Sequence, residues 1–324
     1  MACRSMRLLC AVWVLPFVSA CGGGSGGGQV ASIPPPPSPP DPPPSTSPLQ
    51  PEKIGLVGTE PFATFGIGDR YTVSPTGGDE TPLSGPDLTD DVRFSFSADT
   101  GKYSISIPNV PAGELVQKGL NGSGGQVATS TIQGIRGLES TTSITLQVPG
   151  GTYSPFSYTA FGSWLVALGK SGARDTYGEG WLVYGLPTKA ADMPVNGTGT
   201  YSAQVLGSIG GGYSIPVTGD VKLSFDFARG SLSGSMHAGI FDEFDGITQD
   251  FGTYDFTQTV FGRGSTTFSG RFIVPSLPNG TANSYFEGAF TGPNANELMA
   301  RFRTPYSFRG AEGLMSGIWI GKRN

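Results

Sequence analysis

Eight segments in the second half of the chain repeat one pattern: large apolar residues at every second position, interrupted by turn residues. The clearest runs through Val221, Leu223, Phe225 and Phe227, which alternate with Lys222, Ser224 and Asp226. A two-residue period puts all the apolar side chains of a strand on one face, so each segment reads as a half-buried β-strand. The other seven cover approximately 199–206, 231–238, 253–261, 265–274, 284–291, 297–303 and 314–321. Eight antiparallel strands of this length predict a closed up-and-down barrel, the arrangement that removes open edges. A barrel of eight strands is just wide enough for side chains to fill, and a packed interior is expected. A membrane-spanning barrel would show the same alternation with its apolar face turned to lipid.

The stretch 54–185 is also β-rich but less regular, and is read as a separate domain ahead of the barrel domain at 186–324. Val92, Phe94 and Phe96 alternate with Arg93, Ser95 and Ser97, and Tyr103, Ile105 and Ile107 with Lys102, Ser104 and Ser106. Asp99-Thr100-Gly101 between them suits a hairpin turn. Ser143 to Val148 and Phe161 to Leu168 are further strand candidates, and Gly119 to Gly125 reads as a loop. No long apolar stripe of helical period occurs here. The fold class is all-β, in keeping with 51 Gly, 27 Pro and only 14% charged residues.

The first residues have a different character. Arg4 and Arg7 precede the apolar run Leu8 to Leu15, which is too short to span a bilayer. It ends in Val18-Ser19-Ala20-Cys21, which resembles a bacterial lipobox. Residues 1–20 therefore read as a lipoprotein signal peptide and Cys21 as the lipid anchor; an ordinary signal with an incidental cysteine is the alternative. Several acyl chains, at about 0.8 kcal/mol per buried methylene, would hold the chain on a membrane nearly irreversibly. Residues 21–53 form a linker: a glycine run, then Pro34 to Pro44 with two interruptions, a spacer extending about 3.1 Å per residue. Gly22 after the cysteine favours the outer membrane. Gly23-Gly24-Ser25-Gly26-Gly27 matches a nucleophile elbow in spelling only, since no strand precedes it.

Of the three cysteines, Cys3 and Cys10 lie in the signal. With Cys21 acylated, disulfides, thiolate metal sites and cysteine nucleophiles are excluded. A formal charge of −5 without a basic patch excludes nucleic acid as a partner. His237 is the only histidine and reads as a packing or surface residue. It rules out a haem held by two histidines, while a tyrosine-held haem stays open. No constellation of acid, base and nucleophile stands out, so no enzyme, metal or cofactor is expected. Asp242, Glu243, Phe244 and Asp245, with Asp250 nearby, form an acidic segment between the third and fourth barrel strands. It does not match a calcium loop. It reads either as a solvated loop or as a contact for a basic protein ligand, with Phe241, Phe244 and Phe251 as apolar anchors. Three Asn-Gly-Ser/Thr sequons, at Asn121, Asn196 and Asn279, read as turns.

The junction of the two domains carries a family resemblance. Gly185-Leu186-Pro187-Thr188, Met193-Pro194, Gly197 and Tyr201 resemble the approach to the barrel in transferrin-binding protein B-like lipoproteins. Gly219-Asp220-Val221 with Asp226-Phe227 is similar to the family's second strand, and Phe290 to Glu297 to its F-x-G-P-x-A-x-E segment. Met299-Ala300 departs from the small glycines common there. The resemblance implies a handle domain followed by an eight-stranded barrel, here as one pair rather than the family's two. It implies a surface lipoprotein that captures a protein or an iron- or haem-carrying ligand and works with an outer-membrane receptor or translocator. Replacing Cys21 with Ser removes the acceptor thiol, so the variant should move from the detergent to the aqueous phase in a detergent phase separation. Continued recovery in the detergent phase would overturn the tether.

Overall fold

The barrel forms because eight consecutive strands turn apolar or small residues to one face. The computed structural model describes residues 62–74, 80–82, 92–97, 102–107, 113–116, 142–147, 155–209, 215–242, 247–275, 277–308 and 311–324. Signal, lipobox and spacer lie outside them. Strands β9 (Thr198–Ile209), β10 (Ile215–Asp226), β11 (Ser231–Asp242), β12 (Ile247–Val260), β13 (Thr267–Ile273), β14 (Tyr285–Thr291), β15 (Glu297–Phe308) and β16 (Ala311–Arg323) pair in sequence. The sheet closes when β16 pairs with β9, from Met315↔Ile209 to Arg323↔Tyr201. All eight expected strands are present. β11 and β15 run four and five residues further than expected, to Asp242 and Phe308. Gly239 and Pro305 argue against strand at those points, but neither ends one. Past the pair Tyr285↔Arg303, β16 is the ladder partner of β15 among the described residues, and proline is tolerated on such an edge.

The apolar parity points inward. Phe225 is fully buried, with ring centroids 5.0 Å from Phe261, 5.3 Å from Phe268 and 4.8 Å from Phe290. Further along the barrel, Trp319 stacks on Phe256 at 5.5 Å and lies 5.1 Å from Phe286 and 5.9 Å from Phe302. Such pairs add about 0.5–1.5 kcal/mol each beyond the area they bury. The interior is therefore solid, as expected. On β10 the outward positions Thr218, Asp220, Lys222 and Ser224 are exposed, which is the reverse of a membrane-spanning barrel.

Ahead of the barrel, β1 (Ala63–Val73), β2 (Glu80–Pro82), β6 (Thr142–Gln147), β7 (Thr159–Ser171) and β8 (Arg174–Gly185) form a five-stranded sheet in the order β2-β1-β8-β7-β6. A second sheet is made of β3 (Arg93–Ser97), β4 (Lys102–Ser106) and β5 (Gly113–Val116). The hairpin expected there exists, with Ser97 opposite Lys102; its turn residues 99–101 lie outside the described ones. The larger sheet is apolar on both faces. Ile67 and Val183 pack on the barrel wall against Ala289, Met299 and Ile318. On the other side Tyr184 meets Phe94 at 4.8 Å and Phe62 at 5.6 Å. Helix among the described residues is limited to three 3-10 turns, Ala190–Asp192, Gly280–Asn283 and Pro293–Ala295. Residues 52–324 form one compact unit.

The interior carries three phenols, and each is harder to ionise than in water. Burial pushes Tyr201 up against an opposing effect of Arg323, raises Tyr254 with help from Asp250 and Tyr306, and raises Tyr306. The folded chain thus holds protons that the unfolded chain has lost above about pH 10, and its stability falls as pH rises through that range. The denaturant midpoint should be level from neutral pH to about pH 9.5 and then decline. The Tyr201→Phe, Tyr254→Phe double variant should decline less, and an equal decline in both chains would refute the assignment.

Candidate functional site

An up-and-down barrel has two rims. The connections after β9, β11, β13 and β15 lie at one, and those after β10, β12 and β14 at the other. The predicted acidic segment belongs to the first rim. Pairing of β11 with β12 persists to Asp242↔Ile247, so Asp242 is a strand residue; Glu243, Phe244 and Asp245 lie outside the described residues. Gly239 pairs with Asp250 and Ala238 with Gly252, which makes Phe251 the extra residue of a β-bulge. Gly252 takes φ +87° there, and its N–H donates to Asp250 Oδ1 at 2.6 Å.

The bulge corrects one expectation. Phe251 is not an exposed anchor: it turns into the barrel, is 6% exposed and stacks on Tyr306 at 4.8 Å. His237 sits mid-strand rather than near a strand end, because β11 is longer than expected. Its Nε2 lies 3.0 Å from Asp250 Oδ1, with both side chains largely exposed. The Gly252 N–H first, then the His237 contact, hold the Asp250 carboxyl below the usual carboxylate range, with burial opposing. An exposed pair of this kind contributes little to stability. It fixes where a negative charge stands on the rim.

The opposite rim is where handle and barrel are locked together. Glu297 begins β15 and is 2% exposed. Its Oε1 accepts from the Ser157 N–H at 2.7 Å, and its Oε2 from the Tyr158 N–H at 2.9 Å and the Thr159 hydroxyl at 3.0 Å. Thr159 and Thr291 hydroxyls are 2.6 Å apart. Around this carboxylate the chain folds back on itself. Gly292 N–H donates to Leu186 O at 3.0 Å, Thr188 N–H to Phe290 O at 2.9 Å and the Thr188 hydroxyl to Gly292 O at 2.7 Å. Gly292 has φ +72°, and a Cβ there would lie 2.4 Å from the Tyr158 ring, so no other residue fits. Ala295 O accepts from the Tyr201 hydroxyl at 2.5 Å.

The seam continues along β15. Arg301 Nη1 donates to Gly66 O at 2.9 Å, and its guanidinium pairs with Glu287. Arg303, 7% exposed, donates from Nη2 to Gly68 O at 3.0 Å and to Asp69 Oδ1 at 2.9 Å; Ser316 donates to Asp69 Oδ2 at 3.2 Å. Buried charges persist only when paired and hydrogen-bonded, and these are.

A tyrosine-held haem does not fit the barrel interior. The rings described above fill it. Among the described residues, no group of three or more His, Cys, Asp or Glu side chains could hold a metal ion.

No protein-family model and no curated protein matches the chain. Among solved structures it is similar to transferrin binding protein B of Haemophilus parasuis, at 15% identity over 80% of this chain and 45% of that one, TM-score 0.38. It is also similar to the isotype 1 transferrin binding protein B of serogroup B Neisseria meningitidis, at 16% identity over 80% and 44% of the two chains, TM-score 0.37. A third similar structure is described as a surface lipoprotein, at 15% identity over 82% of this chain and 100% of that one, TM-score 0.32. The chain spans less than half the length of the two transferrin binding proteins it resembles.

The sequence pattern gives Glu297 no role beyond closing its motif and does not single out Asp69, Arg301 or Arg303. A signal was present. Leu298, Ala300 and Phe302 fix the inward parity of β15, which leaves Met299 among charges on the outward face. An apolar residue there marks a covered wall. Replacing Glu297 with Ala leaves three donors without their acceptor and should cost about 2–4 kcal/mol in denaturant unfolding, with faster exchange of the Ser157 and Tyr158 amides. An unchanged midpoint with unchanged exchange would refute the clamp.

Proposed function

We propose that the chain is a lipid-anchored outer-membrane lipoprotein, displayed on the cell surface, that captures a protein ligand without chemistry of its own. The observation that carries this reading is the solid barrel. An interior closed by stacked rings offers no volume to a small molecule, so recognition falls to the outside of the barrel and to its free rim. The clamp at Glu297 supports the same reading: handle and barrel present their surfaces as one body, which lowers the ordering cost of binding a large partner. The lipobox at Cys21 and the proline spacer supply the tether and the reach. The motif resemblance, whose Phe290 to Glu297 segment proves to be the clamp itself, supports a capture lipoprotein that works with an outer-membrane receptor or translocator. It also supports an iron- or haem-carrying protein as the ligand class.

In this reading the acidic run Asp242, Glu243, Phe244 and Asp245 contacts the ligand from the free rim. Two measurements test it. Protease applied to intact cells should remove the domain, whereas full protection would place it in the periplasm and sink surface capture. Replacing Asp242, Glu243 and Asp245 with Ser should weaken retention of the ligand recovered from serum or culture medium by about tenfold. Unchanged retention would remove this segment from the contact surface.

A further inference from the structure

We propose that Asn196, in the connection that carries the chain from β8 to β9, is a site of spontaneous modification. It converts to isoaspartate, and the conversion loosens the clamped rim. The inference is independent of the capture reading above.

The described residues contain the triplet Asn-Gly-Thr at two places, Asn196-Gly197-Thr198 and Asn279-Gly280-Thr281, so local sequence favours neither. The fold treats them oppositely. Asn196 and Gly197 are both exposed, and the Gly197 N–H has no hydrogen-bond partner among the described residues. Gly197 takes φ +74°, and nothing lies within 4 Å of where a Cβ would stand on it. Gly280 is buried instead. Its N–H donates to Leu277 O at 2.8 Å, and a Cβ there would lie 2.8 Å from the Val274 Cβ. The Gly280 nitrogen becomes reactive only when the Gly280–Asn283 turn opens. The remaining Asn-Gly pair, at Asn121, lies outside the described residues.

The chemistry needs an asparagine side chain and a following backbone nitrogen free to reach it, which a glycine without a side chain permits. Hydroxide takes the Gly197 N–H proton, and the nitrogen attacks Asn196 Cγ. The new N–C bond closes a succinimide, the Cγ–Nδ2 bond breaks, and ammonia leaves with a proton from water. A second water then opens the ring. Opening on one side leaves Asp in an unchanged backbone. Opening on the other routes the backbone through the former side chain and lengthens it by a carbon. That carbon enters between two contacts of the clamped rim: Val195 O accepts from Arg263 Nε at 3.0 Å, and Gly197 O from the Phe227 N–H at 2.9 Å. The Phe227 ring is fully buried, with Phe261 at 6.0 Å and Phe290 at 6.1 Å. The ring cannot follow a displaced loop, so the Phe227 amide loses its acceptor.

The test ages the full chain in detergent in mildly alkaline buffer, once folded and once in guanidinium. Tryptic peptides Ala190–Lys222 and Phe272–Arg301 separate the two triplets. Mass spectrometry reads the replacement of amide by acid in each, and labelling by an isoaspartyl methyltransferase reads the rearranged backbone. In the folded chain Asn196 should convert at least about tenfold faster than Asn279, and in guanidinium the two should agree within about twofold. Equal rates in the folded chain would overturn the proposal. So would a difference that survives unfolding, since it would come from sequence rather than fold. Hydrogen exchange of the Phe227 amide should quicken about tenfold in the aged chain and stay constant in an aged Asn196→Gln variant, which closes no succinimide. Unchanged exchange in aged, fully converted protein would refute the loosening of the rim.

Discussion

Closure of β16 onto β9 commits every inward position of eight strands to one confined volume, and the rest of the molecule adjusts to that commitment. An open sheet would let a misplaced large residue splay outward; a closed one of this size does not. The chain fills the volume with rings, from Tyr201 and Phe225 near the clamped rim to Phe256, Phe272 and Trp319 further along. The cost of this density is visible at Trp319, whose Nε1 is buried without a hydrogen-bond partner. A donor surrounded by ring faces loses about 1–3 kcal/mol of hydration, a loss that stacking with several neighbours can offset. A core built this way has no room to become a binding cavity.

The handle solves a second problem of the same kind. The outer wall of β14 to β16 is not surface: Ala289, Met299 and Ile318 need cover, and β1 and β8 supply it through Ile67 and Val183. Apolar contact alone would allow the sheet to slide along the wall. Polar contacts prevent this, because each has one geometry. The N–H groups of Ser157 and Tyr158 precede the β7 ladder and would be orphaned on burial, and Glu297 accepts both. At the other end of the seam, Asp69 and Arg303 set the register of β1 against β15. A buried ionic contact is a poor source of net stability but a good source of a single arrangement.

This division explains what was legible in the sequence. Parity within a strand is local, so Val221 to Phe227 announced its element and its inward face without help. Strand ends are less local. Whether Gly239 or Pro305 terminates a strand depends on partners far along the chain, and both strands ran on. The turn of Phe251 into the core was hidden for a related reason: a bulge moves one residue to the opposite face, and only the pairing of Ala238 with Gly252 reveals it. The seam was the least legible part. Glu297 meets residues some 140 positions earlier, and nothing in a single strand's pattern distinguishes a buried carboxylate from a solvated one. Its neighbourhood in the sequence was recognisable as a motif; its work was recognisable only in space.

The distribution of charge follows from the same architecture. Arginine is the side chain best suited to satisfy several buried acceptors at once, and the fold uses it so. Arg301 and Arg303 serve backbone carbonyls and carboxylates along the seam, and Arg271 gathers three carbonyls at the Gly280–Asn283 turn. Arg323 reaches the carbonyls of Asn294 and Thr198 while lying over the Phe227 ring. Arg301 and Arg303 are drawn inward by acceptors that folding would otherwise strand. Among the described residues, the acids that take part in the seam are Glu297, Glu287 and Asp69. The placement of these cations is a consequence of how the fold is held together.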